Sequence, residues 1–253
     1  MSDKSSSSLI SYLFFVIITI IYSIFNYFFG KRKKDTAPEK SKDTNIFFAI
    51  YILILVIGQF SINLTSTKSI CGSNQWATAL SMTLIPWVII FGSIYVILKV
   101  FPGWLFPFSS TFGYLLSKLF YNIKVEENTT ATNQQKVLFD RFYNDPGLIL
   151  NRLTIENFKD TYKKVVNAGL INKDIKEFQV YNFVYFKTII AETMWYIFTG
   201  CFIIAVSTNY LVNSACKISA AEMQKKTDEY HKAQEKLKND KKSSEPKVYS
   251  SSE

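Results

Sequence analysis

One histidine and three cysteines are all the imidazole and thiol chemistry that 253 residues carry. His231 lies in a polar C-terminal stretch, and Cys71, Cys201 and Cys216 form no CxxC pair. Zinc sites of the usual Cys/His kinds therefore lack their ligands. A Cys–His or Ser–His nucleophilic pair would have to recruit His231, for which nothing argues. Glycine is scarce, at nine residues, and no Gly-rich phosphate loop, metal-ligand spacing or nucleophile elbow occurs. These absences point away from an enzyme and from any cofactor or metal.

Charge is all but missing from four long stretches, and that scarcity defines the fold class. Apolar residues make up 48% of the chain, with 22 Phe and 15 Tyr, and they gather in blocks. The first, LISYLFFVIITIIYSIFNYFF (9–29), has no charge and is long enough to cross roughly 30 Å of hydrocarbon as a helix. A cleaved signal peptide would have a shorter apolar core behind a basic start. Here Asp3 and Lys4 precede the block and GKRKK follows it, so a retained helix is expected. The second block runs from about Ile46 to Leu64 and the third covers 82–101, with Pro86 placed in its first turn and Lys99 near its far end. The fourth, 188–212, holds one acid, Glu192, one turn inside its start.

The expected fold is an all-α membrane protein of four transmembrane helices, with a small helical cytoplasmic domain between the third and fourth. Residues 1–64 hold two helices joined by a basic linker, 31–44. Residues 65–116 hold an outer loop, the third helix and an exit turn. Residues 117–187 form the cytoplasmic domain, 188–212 the last crossing, and 213–253 a charged helical, then disordered, tail.

The formal charge of +9 is read through the positive-inside rule rather than as a nucleic-acid surface. Linker 31–44 carries six Lys or Arg, and Lys99, Lys118, Lys173, Lys176 and Lys187 share its side. Lys4, Lys68, Lys217, Lys225 and Lys226 lie opposite. That bias places 31–44 and 102–187 in the cytoplasm and both termini on the lumenal side. Cys71 and Cys216 then share the lumenal side and can pair if their Cα atoms come within about 7 Å. Free thiols are the alternative. The sequons at Asn63 and Asn128 are read as chance matches.

KVFPGWLFPFSSTFGYLL (99–116) is apolar yet punctuated by two prolines and two glycines. Pro102 ends the third helix, and Pro102 and Gly103 suit the centre of a type II turn. Trp104 fits a membrane interface, Pro107 delays the next helix, and Ser109 or Ser110 can cap it. That helix, about 111–123, carries Phe112, Leu115, Leu116, Leu119, Phe120 and Ile123 on one face. The stripe either lies in the bilayer interface or packs on the protein's own cytoplasmic domain.

Downstream, 124–135 reads as an exposed loop and KVLFDRFYNDPG as a short helix ended at Asp145-Pro146-Gly147. Thr154 can cap a helix reaching Asn167, with Gly169 beyond it and Ile155, Phe158, Tyr162, Val165 and Val166 on its buried face. Phe178, Tyr181, Phe183, Tyr185 and Phe186 precede the last crossing as an interfacial belt, as core packing, or as both. Ser219 and Glu222 form a capping box for a tail helix whose Met223, Tyr230 and Leu237 make a poor coiled-coil seam, so a solvated helix is expected, with disorder from Ser243.

The block CGSNQWATALSMTLIPWVIIFGSIYVILKVFPGWLFPFSSTFGYLL (71–116) resembles one in virion membrane proteins of nucleocytoplasmic large DNA viruses, and NDPGLILNRLTIENF (144–158) is similar to the same group. The resemblance implies a minor capsid protein of the virion inner membrane, derived from host endoplasmic reticulum, that touches capsid or other virion proteins through its cytoplasmic parts. It singles out Pro102, Gly103, Trp104, Pro107, Phe108 and Gly113, none catalytic. Beside this structural reading stand a small channel or transporter using Glu192, and a host endomembrane scaffold. Glu192 is otherwise expected to pair with Lys187 or a neighbouring helix, and the chain can form oligomers.

Overall fold

The computed structural model describes residues 2–31, 43–121, 123, 147–167, 176–213, 216 and 220–243. In chain order the helices are α1 (Ser2–Gly30), α2 (Asp43–Cys71), α3 (Trp76–Val100), α4 (Tyr114–Phe120), α5 (Gly147–Arg152), α6 (Phe158–Asn167), α7 (Glu177–Asn213) and α8 (Ala220–Ser243). No strand occurs among the described residues, and α1, α2, α3 and α7 are long and apolar enough to cross a membrane. The chain is an all-α integral membrane protein. The expected loop 124–135, the helix before Asp145, the Gly169 stop, Asn128, the Ser219 cap and the tail after Ser243 lie outside the described residues.

The four long helices form an antiparallel bundle in which α1 and α3 each lie against α2 and α7. Its register is fixed by cross-helix pairs: Ser11 Oγ donates to Gln59 Oε1 (2.6 Å), Ser23 meets Thr193 (2.6 Å) and Asn63 Nδ2 donates to Thr83 Oγ1 (2.9 Å). Close approach comes from two glycines. A Cβ on Gly58 would lie 2.2 Å from the Phe14 ring, and one on Gly200 2.0 Å from the Phe15 ring, so each phenylalanine seats in a notch only glycine leaves.

Helix boundaries differ from the expectation. Helix α2 runs two turns past Leu64 because Thr65, Ser66 and Thr67 return their hydroxyls to the carbonyls of Ser61, Ile62 and Leu64, which satisfies these polar side chains inside the helix. It stops at Gly72, whose φ of 69° is the left-handed conformation a helix terminus favours.

Helix α3 starts at Trp76, not at Met82, so Pro86 is interior rather than in a first turn. Proline has no N–H to give Met82 O, and that carbonyl instead accepts from Ser207 Oγ of α7 at 2.9 Å. A π-helical turn, Trp87–Phe91, follows at once and turns both of its aromatic ends into the core.

The bundle interior changes character along its length. Towards the end where α2 meets α3 it is polar, with Ser11, Gln59, Asn63, Thr67, Thr83 and Ser207 buried and hydrogen-bonded. Towards the other end it is aromatic: Tyr22 stacks on Tyr51 (4.4 Å), Phe48 on Tyr95 (4.2 Å), and Phe91 meets the buried Tyr196 (5.3 Å). Cys71 and Cys216 are joined by a disulfide at the polar end, with Cα atoms 5.4 Å apart.

A second core sits beyond the aromatic end, where Leu150, Leu153, Phe158, Val180, Phe183 and Val184 are buried together. Thr154 and Asn157 start α6 by reciprocal bonds: Thr154 N–H donates to Asn157 Oδ1 (2.8 Å) and Asn157 N–H to Thr154 Oγ1 (3.2 Å). Tyr181 and Phe183 belong to this core, with Tyr181 edge-on to Phe158 at 5.2 Å. Helix α7 threads both cores without a break. The tail helix α8 is solvated, and Met223, Tyr230 and Leu237 stand exposed on it.

Candidate functional site: the membrane exit junction

The segment that leaves α3 is helical almost throughout, which the glycines and prolines of 102–113 do not suggest. The expected type II turn is not formed. Pro102–Leu105 is a 3₁₀ turn closed by Trp104 N–H to Phe101 O (3.0 Å), and Gly103 keeps a negative φ. Pro107 does not delay the helix, because it stands in the opening turn of Phe106–Phe108, where a missing N–H costs nothing. Nor do Ser109 and Ser110 cap. Ser110 Oγ donates back to Phe106 O and Thr111 Oγ1 to Pro107 O, each at 2.6 Å, in a continuous chain of turns. A π turn, Ser109–Gly113, leads into α4, which ends at Phe120, short of Ile123.

This segment does not leave the bundle directly. It continues along α7, antiparallel to it, towards the second core. Trp195 Nε1 donates to Trp104 O (2.8 Å), and Phe108 packs edge-on to Trp195 (5.3 Å) and stacks on Phe198 (5.5 Å). Gly113 lies on Lys187, Tyr114 meets Phe183 (6.0 Å), and Phe120 and Tyr121 meet Phe186. The inward face is built from small residues, with Ser109, Gly113 and Ser117 one turn apart and buried against α7. A Cβ on Gly113 would stand 2.6 Å from Lys187 O and 3.2 Å from Phe108 O.

Lys187 is the polar pin of the junction. It is 1% exposed, and its ammonium donates to Asn151 O (2.6 Å) and Leu153 O (2.8 Å), the carbonyls at the end of α5. A cation at a helix C-terminus meets the negative end of the dipole. Asn151 Nδ2 in turn donates to Ser110 O (3.0 Å), tying α5 to the exit segment. Lys187 therefore does not pair with Glu192, as one expectation had it. Glu192 bonds Lys99 of α3 at 2.9 Å, with the lysine half-exposed, which agrees with the other. At the outer edge Tyr27 and Tyr121 share a hydroxyl–hydroxyl bond.

The residues singled out from sequence divide clearly. Phe108 and Gly113 are packed into the junction, and Trp104 is anchored through its carbonyl with its ring half-exposed beside Trp195. Pro102, Gly103 and Pro107 shape the backbone, and Gly103 has open space around it. Phe112, Leu115, Leu116 and Leu119 point outward, while at the end of the stripe Phe120 meets Phe186 and Ile123 packs on the second core, so the two expectations divide along it. The roles of Lys187, Asn151 and Trp195 were not legible. Lys187 ending an aromatic run is the one available signal, and it fits snorkelling equally well. Asn63 is buried on Thr83, closed to modification. No family model, curated protein or solved structure matches the chain.

Proposed function

We propose that the chain is a structural membrane protein, a minor capsid component of a virion inner membrane that links the bilayer to the capsid shell. The observation that carries the structural reading is the packing of the bundle's aromatic half. Tyr22, Tyr51, Phe91 and Tyr196 fill the space a permeating ion would need. The polar half offers a cleft of only about 30 Å³ lined by Ser8, Ser11, Asn63 and Ser66, room for one or two waters. Glu192, at the edge of this interior, is paired with Lys99. The virion assignment rests on the resemblance of 71–116 and 144–158.

The orientation belongs to the same proposal. The disulfide suits an oxidising lumen, and the basic linker lies at the opposite end. The second core then faces the cytoplasm, where the capsid assembles, and the exit segment lies in the cytoplasmic half of the bundle.

Purified virions decide the assignment. The chain is expected in virions, and detergent is expected to strip lipid before it strips the chain from the shell. Its absence from virions, with retention in host membranes, refutes the virion role in favour of a host scaffold. Reproducible conductance from the purified protein that collapses with Glu192→Gln overturns the structural reading. Trp104→Ala with Leu116→Asp is expected to disrupt assembly, and Glu192→Gln to leave it intact.

A further inference from the structure

The bundle is unequal at its two ends, and the exit segment is the reason. Helix α3 stops level with Glu192, where Lys99 bonds it. Helix α1 continues to Gly30, which lies against Tyr185. The difference on α7 is seven residues, or roughly 10 Å of rise. Residues 102–120 fill the flank left open there. From Trp104 to Tyr121 the segment advances roughly 25 Å, while its partners on α7 step back roughly 16 Å, from Trp195 to between Phe183 and Phe186. It thus crosses α7 obliquely, within the depth still spanned by α1.

Its outer face is apolar and, apart from the contact of Phe120 with Phe186, is covered by none of the described residues. Leu115 is 66% and Leu119 77% exposed, with Phe106, Phe112 and Phe120 beside them. The face continues the exposed edge of α3 at Val96, Val100 and Phe101, which is bilayer-facing surface, and Lys118 sits among the outward residues as an interfacial cation would. Continuity with the spanning surface identifies the occupant as the acyl chains of the leaflet on the side of the basic linker.

We infer that the exit segment is a wedge held in one leaflet, which makes the protein a sensor and stabiliser of curvature with the linker side convex. Four helices pass through the disulfide-side leaflet. In the other, α3 ends early, and α1, α2 and α7 continue with the oblique segment in its place. Tilted by about 50° to α7, the segment has a cross-section on the order of 40 Å² larger than that of the upright helix it replaces, in one leaflet alone. Inserting area into a single leaflet favours bending towards it. The inference stands on the fold and does not need the virion assignment. A membrane vesicle enclosed by a capsid on its cytoplasmic face has the curvature it favours.

The test uses the full chain reconstituted into phosphatidylcholine–phosphatidylserine vesicles of about 50 nm and about 400 nm diameter. Protease access to a C-terminal tag reports orientation. On small vesicles, molecules with the linker side outward are expected to outnumber the reverse by at least about twofold, and the bias is expected to vanish on large ones. Leu115→Asp with Leu119→Asp touches no packed face, so the Cys71–Cys216 disulfide should still form while the bias is lost. Equal orientation at both diameters overturns the wedge while leaving the virion reading untouched. So does a fluorophore on Leu119→Cys, in a Cys201→Ser background, that brominated acyl chains fail to quench, because the stripe is then covered by protein.

Discussion

Gly113→Ala against Gly103→Ala is the sharpest test of the junction. Both glycines lie in helical backbone with negative φ, so alanine should help each by about 1 kcal/mol through helix propensity alone. Their surroundings differ. The new methyl at Gly103 meets nothing within 4 Å, whereas at Gly113 it lies 2.6 Å from Lys187 O. That oxygen is in the middle of a long helix and cannot swing aside as a side chain would. Overpacking of this kind costs typically about 1–3 kcal/mol, and a backbone clash belongs at the top of that range. The net expectation is a loss of about 2 kcal/mol at Gly113 and a small gain at Gly103. A loss of that size shifts a local docking equilibrium by about thirtyfold. It can be read as loss of a Phe108→Cys to Phe198→Cys crosslink in detergent, since these rings stack at 5.5 Å in the docked state. Undiminished crosslinking in Gly113→Ala, or equal losses in the two variants, would refute the reasoning.

Three other outcomes follow from the same geometry. Removing the Cys71–Cys216 bridge, whose 145-residue separation gives an entropic ceiling of about 5 kcal/mol, should cost a fraction of that, because membrane-inserted helices are already restricted; an unchanged unfolding midpoint after reduction refutes it. Lys187→Met should free the end of α5, with about 1–3 kcal/mol for the uncovered carbonyls, seen as faster hydrogen exchange over 150–167 with the crossings unaffected; unchanged exchange there counts against the pin. Ser207→Ala should destabilise the bundle by a similar amount because it strips the donor from Met82 O, and Pro86→Ala, which supplies an N–H at that place, should recover part of the loss; strictly additive effects refute the link.

What the sequence revealed and concealed can be traced to particular residues. The four spans were legible because charge within hydrocarbon is costly, so its absence over 9–29 or its rarity over 188–212 is hard to produce otherwise. Their ends were not. Thr65, Ser66 and Thr67 look like a loop, yet each hydroxyl finds a carbonyl one turn back and the helix runs on. Pro86 looks like a first-turn residue because only a partner on another helix, Ser207, makes an interior proline tolerable. FPGW looks like a type II turn because its dipeptide is the strongest local signal, but packing of Trp104 and Phe108 on Trp195 outweighs it.

The same contest between local and tertiary signals bears on the proposed structural role. Read alone, Glu192 in an apolar run is a transport candidate. In the fold its neighbours settle its environment: Lys99 neutralises it, and the tyrosines of α1, α2 and α7 pack the core where a path would have to continue. Polar side chains reach inward from the disulfide end and are satisfied pairwise, Ser11 with Gln59 and Asn63 with Thr83, so they specify register rather than hold open a water column. The junction follows a matching logic. Its small-residue face fixes the segment to α7, its cation fixes α5 to both, and its apolar face is left for the bilayer. A conducting protein needs mobile, hydrated polarity along its axis. The described bundle instead pairs Ser11 with Gln59 and Asn63 with Thr83 and leaves apolar surface outside, and the proposed structural role rests on that arrangement.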